Sequence, residues 1–232
     1  MKNIRILKHL SILVIILVVP GFLYYLLQAK GKNRYKPLPF YGEKKLSGTF
    51  HKKRGKKIAD TLYYQAKPVS LVKIADDRPD SLFHPRKITI VQFFYTRDTL
   101  LVPKMFAAMD RLAGQYRKNG LVGFASVSLD EQFDSLPVLR KYMAAYPNYG
   151  SGWSVYRGAG DSTIALAQQG LMVNAAKLPS GRYIFSDKVV LLDPERHIRG
   201  YYEIGRAKEE ARLNDELKVQ IAEELRKEVV DN

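Results

Sequence analysis

The stretch Ile88 to Met105, ITIVQFFYTRDTLLVPKM, constrains the fold more than any other part of this chain. Ile88, Thr89, Ile90, Val91, Phe93, Phe94 and Tyr95 are β-branched or aromatic, and they read as a strand buried on both faces. The run breaks at Thr96-Arg97-Asp98-Thr99. An apolar helix then begins, with Pro103 in its first turn, where a missing N–H costs little. In an open α/β sheet such a strand–loop–helix elbow is where chemistry concentrates, beyond the carboxyl end of the strand.

The flanking pattern extends this unit. Met105, Met109, Leu112, Ala113 and Tyr116 recur at helical spacing and predict a helix from Pro103 to Lys118, ended by Asn119-Gly120. Leu121 to Leu129 reads as a second buried strand. Asp130 to Ser135 is a loop, with Ser135 or Asp134 capping a helix from Leu136 to about Ala145. Upstream, Asp60–Tyr64 and Val69–Ile74 read as short strands, and Ala75–Pro85 as a turn. Downstream, Tyr146 to Gly160 reads as a loop holding Trp153, Ser162 to Gln169 as helical, and Leu171 to Arg182 as irregular. Tyr183–Leu192 and Ile198–Ile204 form a hairpin about the turn Asp193–His197. Ala207 to about Val229 is a long amphipathic helix, its inner face carrying Ala207, Ala211, Asn214, Leu217, Ile221 and Leu225. The expected class is α/β, a thioredoxin-like central sheet flanked by helices.

One N-terminal transmembrane helix is expected ahead of it. Leu10 to Gln28 carries no charge, and about 20 such residues cross the hydrocarbon core. Pro20 and Gly21 are tolerated in a membrane helix, and Tyr24 and Tyr25 suit an interface. A cleaved signal peptide competes with this reading, but Leu27-Gln28-Ala29 is a poor cleavage site. Lys2, Arg5 and Lys8 on one flank are matched by Lys30, Lys32, Arg34 and Lys36 on the other, so charge bias leaves the orientation open.

The formal net charge of +15 suggests an anionic partner. Much of the excess lies in the N-terminal flanks and in the run His51 to Lys57. That run reads either as a lipid or partner patch or as a solvated loop. It is short and has no interleaved aromatics, so nucleic acid is not an expected partner.

The chain contains no cysteine, which excludes disulfides, thiol catalysis and thiolate metal sites. His9, His51, His84 and His197 are scattered, and none forms an i, i+4 metal pair. No phosphate-binding glycine loop or serine elbow is present. Asp98 is a possible hard-metal ligand or general base, but a carboxylate there is expected to accept backbone N–H groups at a helix start. Asp130 and Asp134 resemble an acid/base pair, although a turn before a helix favours these residue types anyway.

FFYTRDTLLVPKM is similar to the active-site segment of the Sco/SenC family, thioredoxin-fold copper chaperones of cytochrome oxidase. Lys36-Pro-Leu-Pro-Phe-Tyr-Gly42, Ser126-Val-Ser-Leu-Asp130 followed by Asp134-Ser135, Trp153, and Val189-Val-Leu-Leu-Asp193-Pro followed by Ile198-Arg-Gly-Tyr201 carry the resemblance along most of the chain. Aligned on Pro103-Lys104-Met105, the family's two cysteine ligands fall on Asp98 and Val102, and its histidine on Phe185. Copper(I) prefers soft ligands, so the resemblance comes without its metal site, and no cofactor is expected. Met105 is expected in the core.

The resemblance implies a non-enzymatic protein in the bacterial inner membrane, single-pass, with its soluble domain in the periplasm. Residues 1–30 would be a cytoplasmic tail and anchor, 31–67 a basic tether, and 68–232 the thioredoxin-like domain. Its partners would be membrane lipid, through the anchor, and oxidase subunits or an assembly complex. Thr96, Arg97, Asp98 and Thr99 form the expected contact loop. Two other readings stand beside this one: a metallochaperone or electron carrier with unorthodox ligands, and a structural subunit of an envelope complex.

Overall fold

The computed structural model describes residues 14–25, 37–53 and 55–230. The chain divides into two compact units, Met1–Lys36 and Pro37–Asn232. In the first, residues 14–25 form a helix, α1, with its apolar side chains exposed. At 1.5 Å per residue these 12 described residues cover about 18 Å of the roughly 30 Å bilayer core. Among the described residues no helix is long and apolar enough to cross a membrane. Residues 10–13 and 26–28 of the expected span lie outside the described ones.

The second unit opens with a two-stranded hairpin, β1 (Lys44–Lys53) and β2 (Lys56–Tyr63). Of the basic run, residues 51–53 end β1 and 56–57 begin β2, so these residues are strand and not the solvated loop of one reading. β3 (Ser70–Lys73) and β4 (Arg78–Ser81) follow, so a strand occupies part of the expected turn at 75–85. The main sheet also contains β5 (Ile88–Phe94), β6 (Val122–Ser128), β7 (Trp153–Arg157), β10 (Lys188–Leu192) and β11 (Ile198–Glu203). Its order is β11-β10-β5-β6-β7-β3-β4. β5, β6 and β7 run parallel, and the outer pairs are antiparallel.

All seven residues of β5 are buried because both faces are covered. Ile88, Ile90 and Phe94 pack with α2 (Val102–Tyr116), α3 (Leu136–Met143) and α5 (Ala207–Val230). Val91 and Phe93 face the opposite cluster. There lie α4 (Asp161–Ala165), a π-helical turn (Leu166–Gly170), and the small sheet of β8 (Ala175–Lys177) and β9 (Tyr183–Phe185). Phe106 of α2 is an aromatic hub, with centroids 4.6 Å from Phe94, 5.4 Å from Tyr142, 5.3 Å from Tyr146 and 5.5 Å from Trp153.

Three further expectations change. Trp153 opens β7 instead of sitting in a loop, and its Nε1 donates to Ser126 Oγ at 2.9 Å. The run 183–192 is not one strand: β9 pairs with β8, and only β10 joins the main sheet. Among the described side chains of α5 the buried ones are Leu213, Leu217, Gln220 and Glu224, while Ala207, Ala211 and Leu225 are exposed. The inner stripe turns polar toward its end, where Gln220 Nε2 donates to Glu224 at 2.7 Å, and that hides it from a hydrophobic count. Asn214 has a structural use, accepting from Tyr116 Oη at 2.6 Å and Gln115 Nε2 at 3.0 Å.

The lead-in segment belongs to this unit. Leu38 is buried in the core, and Tyr41 N–H donates to the Ile198 carbonyl at 2.9 Å. Buried Arg199 holds it, donating to the carbonyls of Leu38 (2.8 Å) and Pro39 (3.3 Å) with its guanidinium 4.1 Å above the Phe40 ring.

Candidate functional site

The parallel register sets Phe94 beside Ser128, so β5 and β6 end together. Their outgoing loops, 95–101 and 129–135, lie side by side, joined by Leu129 N–H donating to the Phe94 carbonyl at 2.7 Å. The turn after β7 also comes close: a Cβ added at Gly158 would sit 2.0 Å from the Ser128 carbonyl oxygen.

Asp134 is the fixed point of this elbow. It is fully buried, and its carboxylate accepts from the Thr96 amide (3.1 Å), the Thr96 hydroxyl and Ser128 Oγ (2.5 Å). Burial raises its pKa above the usual carboxylate range, and the bonds from Ser128 and Thr96 oppose that shift. Arg97 is tied alongside, with Nε 3.0 Å and a terminal nitrogen 2.5 Å from Asp130 Oδ2. The same nitrogen donates to the Gly181 carbonyl at 2.9 Å, and the guanidinium lies 5.1 Å over the Phe133 ring. Asp130 Oδ1 accepts from Phe133 N–H at 3.2 Å.

Asp98 Oδ1 accepts from the amides of Leu100 (3.0 Å) and Leu101 (2.8 Å). It shapes the turn into α2 without capping the helix proper, whose N-cap, Leu101, makes no side-chain bond. Ser135 is the N-cap of α3 by backbone geometry, again without a side-chain bond. The expected capping role of Asp134 is thus replaced by cross-loop bonding. The neighbouring surface is apolar in part: Leu100 is 81% exposed, Phe133 49% and Ile184 56%.

Of the positions matched to copper ligands, Val102 is fully buried and Phe185 packs its ring 5.6 Å from Tyr95. The donor set is thus one carboxylate, already accepting two amides, and two hydrocarbon side chains. It does not fit copper(I), which takes thiolate, thioether or imidazole. Met105 is buried in the core. Among the described residues, Asp193, Glu195 and His197 place ligand atoms within 4.8 Å of one another. They lie in the β10–β11 turn, and β10 reaches Thr89 at the start of β5, the far end of the sheet from the elbow. Asp193 there is committed to Arg199 at 3.2 Å and His197 Nδ1 at 3.1 Å.

Taken together, these features define a Sco-like thioredoxin fold. The chain is similar to a SCO1/SenC family lipoprotein from Bacillus anthracis, with 19% identity and a TM-score of 0.59 over 67% of this chain and 95% of that one. It is similar to BsSco, a member of the Sco family of cytochrome c oxidase assembly proteins, with 22% identity and a TM-score of 0.58 over 70% and 96%. It is also similar to copper-bound ScoI of Arabidopsis thaliana, with 18% identity and a TM-score of 0.54 over 71% and 99%. No protein-family model and no curated protein matches the sequence.

Proposed function

We propose that this chain is a divergent Sco/SenC protein, held in the bacterial inner membrane by its apolar N-terminal stretch with the folded domain on the periplasmic side. In this reading it assists assembly of a respiratory oxidase by protein contact, without copper transfer, thiol redox chemistry or catalysis. One observation carries the reading: in a Sco-like fold, the elbow that would hold the metal presents Asp98, Val102 and Phe185, with Asp98 committed to backbone amides. Its loop is cross-braced by Asp134 and the Arg97–Asp130 pair, and it sets exposed Leu100 next to polar Thr96 to Thr99. A rigid, partly apolar loop suits recognition of a protein surface.

The test has two arms. In a titration of the chain with copper(I) against a chromogenic chelator, no competition is expected; tight one-to-one binding would overturn the reading. In affinity capture from native membranes, oxidase subunits are expected with the wild type and are weakened by Asp98→Lys and by Leu100→Glu. Leu100 projects into solvent, so its variant separates lost contact from lost fold. Unchanged capture by both variants would remove the elbow as the contact surface.

A further inference from the structure

The β1–β2 hairpin stands apart from the main sheet. Its base is fixed: the Tyr63 ring stacks on Phe40 at 4.0 Å, and Tyr64 Oη donates to the carbonyls of Gln169 (3.0 Å) and Gly170 (2.9 Å). Beyond that base Lys44, Lys45, Leu46, Phe50, Lys52, Lys57 and Leu62 are exposed. Cross-strand partners share a face. The register, with its shift between Leu46 and Phe50, therefore puts Lys44, Leu46, Phe50, Lys52 and Lys57 on one face. Ring contacts agree, with Lys57 Nζ 4.3 Å over Phe50 and Lys44 Nζ 5.8 Å over Tyr63. Leu46 is 74% and Phe50 54% exposed, and on the opposite face Leu62 is 59% exposed. Residues 44–63 hold seven Lys/Arg against one acidic residue, Asp60, whose carboxylate accepts from Thr49 Oγ1 at 2.6 Å.

Exposed aliphatic and aromatic side chains ringed by lysines match a bilayer interface. The apolar groups enter the boundary between headgroups and acyl chains, and the ammonium groups meet lipid phosphates. The uncharged run 10–28 ends only 16 residues before Lys44. Sixteen residues reach at most about 55 Å, so an anchored chain holds the hairpin near the membrane at high effective concentration.

We infer that the β1–β2 hairpin is a docking arm for an anionic lipid surface, placing Leu46 and Phe50 among the headgroups with Lys44, Lys52 and Lys57 on the phosphates. The proximity argument rests on the anchoring proposed above; the chemistry rests on the hairpin alone. Docking would fix how the domain, and with it the elbow, faces the membrane.

The absence of cysteine makes the test direct, because Phe50→Cys places an environment-sensitive fluorophore at one site. The full chain is reconstituted in nanodiscs of phosphatidylcholine with or without phosphatidylglycerol. A blue shift, with quenching by a lipid-borne quencher, is expected in the anionic discs and not in the neutral ones. Lys52→Gln with Lys57→Gln should lower the docked-to-free ratio about 25-fold, at about fivefold per lysine, with Trp153 emission unchanged. A label that stays polar in both discs would overturn the inference. So would an equal shift in both, or a concentration-dependent shift without lipid, which would mark a second copy as the occupant. Flotation with neutral vesicles reads the anchor separately. If the chain does not float, the anchor reading fails, and the same labelled chain mixed with phosphatidylglycerol vesicles still decides the hairpin by shift or no shift.

Discussion

Replacing Arg199 with Met tests how the lead-in segment and hairpin base are held. Arg199 is 2% exposed and bridges Asp193, 1% exposed, at 3.2 Å and Glu223, 16% exposed, at 2.9 Å. Met retains the aliphatic stem and removes both ion pairs, the bonds to Leu38 and Pro39, and the contact with Phe40. Losing one partner of a buried pair costs about 3–5 kcal/mol, because the charge left behind has no compensation. Glu223 is near enough to solvent to recover hydration. Asp193 keeps the His197 amide at 2.8 Å and ring at 3.1 Å. Both facts favour the lower half of that range, and the lost cation–π contact adds about 0.5–1 kcal/mol. The expected destabilisation is about 4 kcal/mol. With a urea m-value of about 2 kcal/mol per molar, the midpoint moves down by about 2 M. Trp153, the single tryptophan and 1% exposed, reports the transition. Hydrogen exchange should also speed up at the Tyr41 and Ala66 amides, which bond across to Ile198 and Arg196. A midpoint shift under about 0.5 M, or unchanged exchange at those amides, would refute the argument.

Two further outcomes follow from the packing and the elbow. Asp134 has a raised pKa in the folded state, so the fold binds its proton more tightly than the unfolded chain does. Relative to Asp134→Asn, the wild type should therefore lose stability as pH rises from about 4, the unfolded value, through the higher folded value; denaturation midpoints of both chains across pH would show it, and a gap independent of pH would count against it. Phe106→Ala should cost about 3–5 kcal/mol, since four aromatic neighbours close on that ring, and should lower the melting temperature by roughly 10 °C; a drop of only a degree or two would mean the hub repacks.

The sequence carried the elbow well. β5 and α2 follow from a run of β-branched and aromatic residues and from apolar spacing, which are local signals, and Pro103 falls at the start of α2 as expected. Trp153 reads as a loop residue because a five-residue strand bounded by glycines has too short a period to register, and its pairing with β6 lies 29 residues away at Phe124. The break between β9 and β10 is similarly invisible: 183–192 is apolar throughout except at Ser186, Asp187 and Lys188. Asp134 could be read as polar before a helix, but its tie to Thr96 spans 38 residues of sequence. Arg199 gave no signal, because a hydropathy pattern treats a buried, doubly paired arginine as exposed.

By itself the sequence determined the absence of thiol chemistry, the uncharged N-terminal run, the central strand and its helix, and which residues stand at the elbow. Those properties depend on residue type or on near-neighbour spacing along the chain. The tertiary structure decided what the polar residues do. Asp134 braces two loops, Asp98 shapes a turn, Arg199 fastens the lead-in segment, and Lys52 and Lys57 share a hairpin face with exposed Leu46 and Phe50. A polar side chain's role is set by which distant donor or acceptor reaches it once water is excluded, and only the folded chain fixes that partner.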